Sequence, residues 1–365
     1  MPVFINAIGT ANPANCFAQE DIATFMVRAM NLDRDDARKL KVIHKKSGIQ
    51  FRHSVIEDYG KEKNFSFYNE DQTSGFSPST SKRMELYRKH AARLSYDAAK
   101  SCLENSETSN KNITHLICVS CTGMYAPGLD IDLLNLLKLN SHVNRTSINF
   151  MGCYAAINAI KLGYAICKAE EAAKVLIVCT ELCSIHFQNE NTEDNILANA
   201  LFADGAAALL LSTGLTANTR LKLDSFYNEI AADSASDMAW QIGNTGFEMK
   251  LSAYVPKIIG DGISKFIDNL KSQNGIADQK IDYYAIHPGG KKILESIEAA
   301  MQLAKDDNKH AYQVLEKFGN MSSPTILFVL KLLMENISEE KPDKNILCLA
   351  FGPGLTLESM LLKTI

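Results

Sequence analysis

Residues 319–323, Gly-Asn-Met-Ser-Ser, open an apolar helical run; NILCLAF (345–351) then leads into Phe-Gly-Pro-Gly (351–354) and a last apolar strand, LTLESMLL (355–362). The first half of the chain repeats this order. Gly152-Cys153-Tyr154 opens a helical run, KVLIVCT (174–180) follows as a buried strand, and Phe202-Ala203-Asp204-Gly205 starts another. Two Gly-X helix starts and two Phe-x-x-Gly strand starts in one order predict two related halves, 1–215 and 216–365. The first carries Cys153 and the second His287 and Asn320, with Cys153 and Asn320 at equivalent helix N-termini. A site built from all three would lie where the halves meet.

Outward from these segments, helical and strand periods alternate from end to end, the mark of an α/β architecture. Strands are expected at 114–120, 174–180, 205–212, 282–286 and 345–351, each nearly continuous in apolar residues, as strands covered on both faces require. Helices are expected at 84–103, 154–168, 252–271, 290–304 and 322–335. The polar stretch 57–82 reads as a surface excursion.

Composition narrows the function. The chain has 365 residues, enough for one large core or two fused halves, and a net charge of −4 that argues against nucleic acid as the main partner. No apolar run approaches the roughly 18 residues of a membrane span. The start, MPVFINAIGTANP, has no signal-peptide pattern. The nine cysteines scatter among apolar strands and helices without zinc-type Cys/His spacing, so no metal site is expected. Most read as small buried hydrophobes in a reducing compartment, which points to the cytoplasm.

Cys153 follows a glycine that permits a tight strand-to-helix turn, and the helix from Tyr154 would aim its positive end at the sulfur. With an imidazolium partner, this predicts a depressed thiol pKa. His287 ends an apolar strand and is followed by Pro288-Gly289-Gly290, which stops the strand and lets backbone approach a ligand. Asn320 has an ordinary role open to it, capping a helix from Ser322, although Ser322 and Ser323 already offer caps. Together the three suit thioester chemistry: the thiolate takes an acyl group, while two N–H donors stabilise an enolate or oxyanion. Losing one such donor typically costs roughly 10²–10³ in turnover.

Several ordered motifs then resemble one family over nearly the whole chain. They are C-T-G-x-x-x-P-G at 121–128, Gly152-Cys153, A-L-F-x-D-G-A at 200–206, H-P-G-G at 287–290, G-N-M-S-S at 319–323 and F-G-P-G at 351–354. The chain resembles the chalcone-synthase-like, type III polyketide synthases of the thiolase superfamily. The resemblance implies a five-layered αβαβα thiolase fold and a homodimer. It implies substrates that are an acyl-CoA starter and malonyl-CoA, with no bound cofactor. It casts Cys153 as nucleophile and acyl carrier, His287 and Asn320 as stabilisers of the enolate left by decarboxylation, and Phe202 as a gatekeeping aromatic.

By the same resemblance Cys121, Thr122, Glu181, Cys183, Ile185, His186, Trp240, Met249, Ser322, Gly352 and Pro353 line the substrate cavity. Lys39, Lys46 and Lys292 would contact coenzyme A, while a third basic position falls on Val42. Trp240, the only tryptophan, stands where the family often has a small residue and should shorten one branch of the cavity. An aldol-favouring relay of some plant enzymes would here be Cys121, Glu181 and Ser322, and a thiol donates weakly. Ala126 replaces a methionine that plant enzymes extend into the partner's cavity, and Ala350 replaces the first glycine of the plant G-F-G-P-G loop. These departures suggest a bacterial-type member. The closest rival reading is a priming ketoacyl synthase that condenses once with a malonyl-carrier protein. A Cys–His–Asn hydrolase fits the order of residues but lacks the C-G-[SA]-C-[WY] signature. A scaffold that kept only the fold would not need all three reactive residues.

Overall fold

The computed structural model describes residues 1–69, 77–231, 237–275, 279–337 and 342–365. The first half runs β1 (Val3–Ala11), β2 (Asn15–Ala18), α1 (Gln19–Ala29), α2 (Arg34–Lys46), β3 (Phe51–Ser54), α3 (Thr80–Ser106), β4 (His115–Ser120), α4 (Leu129–Leu136), β5 (Asn144–Asn149), α5 (Ala155–Ala169), β6 (Lys174–Leu182), α6 (Glu193–Leu201) and β7 (Asp204–Ser212). The second runs β8 (Leu221–Ile230), β9 (Met238–Gly243), β10 (Gly246–Leu251), α7 (Val255–Gln273), β11 (Tyr283–Ile286), α8 (Lys291–Met301), α9 (Lys309–Phe318), α10 (Thr325–Asn336), β12 (Asn345–Gly352) and β13 (Thr356–Thr364).

Nine strands hydrogen-bond in the order β11-β12-β13-β8-β1-β7-β6-β4-β5. One pairing scheme occurs twice. β4 runs parallel to β6, which is antiparallel to β7, which is antiparallel to β1. In the second half β11 runs parallel to β12, β12 antiparallel to β13, and β13 antiparallel to β8. The two sets join where β1 meets β8, from Val3–Leu223 to Ile5–Leu221. In each set a buried helix, α5 or α10, leads into the parallel-paired strand.

Alternation of side chains across each strand builds the layers. Val175, Ile177 and Cys179 of β6 enter the core that holds α5 and α10, whereas Leu176 and Val178 enter the one holding α1 and α3. β4 divides in the same way, with Ile117 and Val119 against Leu116 and Cys118. This explains the continuous apolar runs, because both faces are covered. Cys118 and Cys121 have C-x-x-C spacing, but the extended chain sends Cys118 into the outer layer while Cys121 borders the cavity described below.

Two expectations need correction. Part of the polar stretch 57–82 is anchored: Asp58 accepts the backbone N–H groups of Ser66, Phe67 and Tyr68 at 2.7–3.0 Å. Tyr59 and Tyr68 are buried and pack on Phe25, with ring centroids 5.0 and 5.5 Å away. The isolated aromatics of this segment are therefore core residues; its residues 70–76 lie outside the described residues. The last predicted helix also starts later, at Thr325 instead of 322, because Ser322 takes a positive φ of 57° and Pro324 occupies the N-cap.

Candidate active site

Cys153 sits in a single 3-10 turn, Gly152–Tyr154, that feeds α5. Gly152 has φ +79°, and a Cβ there would lie 2.2 Å from Pro353 Cδ. A Cβ on Gly352 would lie 2.7 Å from the Tyr154 ring. The F-G-P-G turn is thus pressed against the turn that carries the thiol, and glycine on both sides makes the approach possible. The Gly152 N–H donates to Cys121 Sγ at 2.9 Å, adding a second support.

His287 continues the β11–β12 pairing by donating its backbone N–H to Leu349 O at 2.8 Å, and Gly289 N–H turns back to its carbonyl at 3.0 Å. Its side chain is 1% exposed, and neither ring nitrogen has a hydrogen-bond partner among the described residues. Leaving a buried polar group unmade costs roughly 1–3 kcal/mol.

Asn320 does not cap α10. Its backbone bridges Phe202 from both sides, donating to Leu201 O and accepting from Ala203 N–H at 2.9 Å each. Its side-chain oxygen accepts the Ser322 N–H at 2.8 Å and faces Cys153 Sγ at 4.0 Å, while Nδ2 donates to Gly289 O at 3.2 Å. This ties the asparagine to the loop after His287 and to the aromatic Phe202.

All three side chains line one narrow cavity of about 40 Å³. Of the residues expected there, Cys121, Thr122, Cys183, Phe202, Trp240, Met249, Ser322 and Pro353 line it as well. Glu181, Ile185, His186 and Gly352 do not. Glu181 is buried behind the wall, where it accepts from Cys121 N–H (2.9 Å), Thr122 Oγ1 (2.8 Å) and Ser323 Oγ (2.7 Å). Of the two serines after Met321, it is Ser323 that reaches Glu181, while Ser322 borders the cavity. Ile185 is fully buried, Gly352 packs on Tyr154, and His186 borders a second cavity of about 30 Å³. The two cavities share Cys183, Phe202, Trp240 and Met249 as walls.

Sequence reading missed Met238, Leu251, Ile293 and Phe351 in the lining. Met238 pairs across β9–β10 with Leu251, and Trp240 with Met249, so one face of a hairpin floors the cavity. Gly243-Asn244-Thr245-Gly246 between two alternating runs is the hairpin signal that could have found it.

The electrostatics run against one expectation. Burial pushes the Cys153 thiol up to about 11, with hydrogen bonds from Ser322 and Asn320 opposing it and the Glu181 charge adding to it. Burial alone holds His287 down to about 3. Desolvation outweighs the helix end, and no resting imidazolium is present to reverse it. A neutral thiol and a neutral imidazole therefore share a buried cavity, and a thiolate forms there only when a proton leaves the sulfur. Glu181 is raised to about 7 by burial, despite the hydrogen bonds it accepts from Ser323, Cys121 and Thr122.

The coenzyme A positions are less convergent. Lys39 is exposed and paired with Asp36 on the same helix at 2.9 Å. Lys46 and Lys292 are both exposed. Gly48, just past Lys46, lies against the Lys291 side chain, so the end of α2 adjoins the start of α8. Ile293, one residue past Lys292, lines the cavity.

Fold and site define a thiolase-fold condensing enzyme, and comparison with known proteins names the family. The model of the N-terminal domain of chalcone and stilbene synthases matches residues 2–214, and that of the C-terminal domain matches 222–365. The chain belongs to this family, the type III polyketide synthases, and is a condensing acyltransferase. It is 30% identical over 99% of its length to a probable polyketide synthase 1 of Dictyostelium discoideum, of which it spans only 11%. It is 28% identical to the alpha-pyrone synthesis polyketide synthase-like Pks18 of Mycobacterium tuberculosis, over 98% of this chain and 90% of that protein. The crystal structure of the C-terminal type III domain of Steely1, a type I/III hybrid from Dictyostelium, superposes with TM-score 0.91 at 29% identity, covering 100% of both chains. PKS-I of the brown alga Ectocarpus siliculosus also gives 0.91, at 25% identity over 100% of this chain and 98% of that one. Among these relatives the mycobacterial Pks18 is the bacterial one. No helix among the described residues is long and apolar enough to cross a membrane.

Proposed function

We propose that this enzyme is an iterative synthase that loads an acyl group from coenzyme A onto Cys153 and extends it with malonyl-CoA. His287 takes the thiol proton as Sγ attacks the acyl-CoA carbonyl; the acyl–sulfur bond to coenzyme A breaks, and His287 returns the proton to the departing coenzyme A thiolate. Malonyl-CoA then loses CO₂, and its enolate oxygen accepts N–H groups from His287 and Asn320. The enolate carbon attacks the Cys153 thioester, a carbon–carbon bond forms, the C–S bond to Cys153 breaks, and a β-ketoacyl-CoA results. The observation that carries this reading is the buried His287 ring, with both nitrogens unpartnered in the cavity that also holds Cys153 and Asn320.

Phe202, bridged to Asn320, acts as the gate in this reading. Lys46 and Lys292 would receive the coenzyme A phosphates, with Lys39, paired to Asp36, as the third basic candidate. The division into halves near residue 215 and placement in the cytoplasm belong to the same proposal. The outer strand β5 is exposed along most of its length, which supports pairing with a second copy in a homodimer. Because Glu181 engages Ser323 instead of Ser322, the aldol relay is not assembled as in the plant pattern. A pyrone-type closure is the product class we favour over resorcinol or phloroglucinol.

The test is mass spectrometry of products from purified protein given malonyl-CoA and a panel of acyl-CoA starters. A starter-dependent pyrone is the expected result. No product from malonyl-CoA, with a single linear condensation from malonyl-carrier protein, would instead establish a priming ketoacyl synthase.

A further inference from the structure

His186 was expected in the wall of the catalytic cavity, but it stands one layer behind it, in the turn after β6. The ring is 4% exposed and stacks on Phe247, with centroids 4.2 Å apart and planes 11° from parallel. One ring nitrogen, Nε2, donates to Thr122 O at 2.7 Å. The other, Nδ1, accepts the Phe247 backbone N–H at 2.9 Å. Only the neutral Nε2–H tautomer makes both bonds.

These two bonds join two different walls. Thr122 belongs to the loop after β4, and Phe247 belongs to β10. The same loop and hairpin meet a second time where Trp240 Nε1–H donates to Cys121 O at 2.7 Å. Trp240 also presents its face or edge to His186 and Phe247, at 5.6 and 5.9 Å. Trp240 and its cross-strand partner Met249 line both the catalytic cavity and the second one.

We propose that His186 is a positioning residue that clamps the β9–β10 hairpin onto the 121–122 loop. It thereby fixes the Trp240–Met249 partition and limits how far a growing chain can reach into the second cavity. The effect on chain length rests on the polyketide reading above; the clamp itself does not.

Trp240 is the only tryptophan of the chain, so its fluorescence reports the partition directly. Three variants separate the contributions. His186→Ala removes ring and bonds, His186→Phe keeps a ring to stack on Phe247 but removes both bonds, and His186→Gln restores one donor and one acceptor. A buried hydrogen bond of about 1 kcal/mol corresponds to roughly a fivefold change in a local opening equilibrium. Acrylamide quenching of Trp240 should therefore rise severalfold in His186→Ala and His186→Phe and return toward wild type in His186→Gln. With one acyl-CoA starter and malonyl-CoA, the product ratio should shift toward longer chains in the first two variants and not in the third. Wild-type quenching and product ratio in His186→Phe would overturn the clamp, as would a loss in His186→Gln equal to that in His186→Ala. Thermal melts of all three identify variants that have failed to fold. If wild type makes no polyketide, the functional reading fails, while quenching still decides the clamp.

Discussion

Replacing Gly152 by alanine tests whether the F-G-P-G turn sets the position of the nucleophile. The added Cβ would stand 2.2 Å from Pro353 Cδ and 2.8 Å from its Cγ, both in a ring that cannot swing aside. Restoring ordinary carbon contact, about 3.5 Å, needs more than 1 Å of movement by the 152–153 backbone or the 353 turn. Holding a non-glycine residue at φ +79° adds roughly 1–2 kcal/mol. Overpacking adds a further 1–3 kcal/mol or so. Together these predict a melting point lower by several degrees and a folded protein in which Cys153 is displaced. A displacement of that size costs on the order of 10² in rate. The assay is kcat/KM for condensation per mole of folded protein, alongside thermal unfolding. Gly262→Ala is the control, because a Cβ there meets nothing within 4 Å in α7 and should stabilise by about 0.5–1 kcal/mol. A Gly152→Ala protein that condenses at the wild-type rate would refute the argument. A lowered melting point with unchanged kcat/KM would confine Gly152 to stability.

Other outcomes follow from the same geometry. Cys153→Ala should abolish condensation yet still release CO₂ from malonyl-CoA, because His287 and Asn320 remain; continued elongation would show that Cys153 is not the acyl carrier. Trp240→Ala removes a wall shared by both cavities and the donor to Cys121 O. Its products, compared by mass spectrometry, should be longer or drawn from a wider set of starters, and an unchanged profile would take Trp240 out of size selection. Glu181, raised by burial from 4.5 to about 7, binds its proton more tightly folded than unfolded. The stability from keeping it neutral is full below pH 4.5 and is lost as pH rises through about 7, by at most about 3 kcal/mol. In Glu181→Gln, urea midpoints from pH 5 to 8 should fall less steeply than in wild type, and parallel curves would contradict this assignment.

Local chemistry in the sequence determined a large part of the fold. The apolar runs at 174–180, 205–212 and 345–351 became strands β6, β7 and β12 because side chains alternating on a fully covered strand must all be apolar. The repeated order of Gly-X helix starts and Phe-x-x-Gly strand starts anticipated a pairing scheme that occurs twice in the sheet. Gly152, Gly289 and Pro288 flagged the turns around Cys153 and His287, because backbone conformation is written in residue type.

What the sequence left open are consequences of distance between remote segments. Asn320 looked like a helix cap, but its place is decided by Phe202 and Gly289, which no local rule links to it. His186 looked like a wall of the catalytic cavity, yet it borders the second cavity, across the Trp240–Met249 pair of the hairpin that floors the first. The Cys153 and His287 pKa directions follow from water excluded by the whole fold, and desolvation is a property of the assembled interior, not of the residues on either side. Motif and periodicity act over one turn or one strand. Cavity shape, hydrogen-bond partners across more than a hundred residues and dryness exist only once the layers have closed.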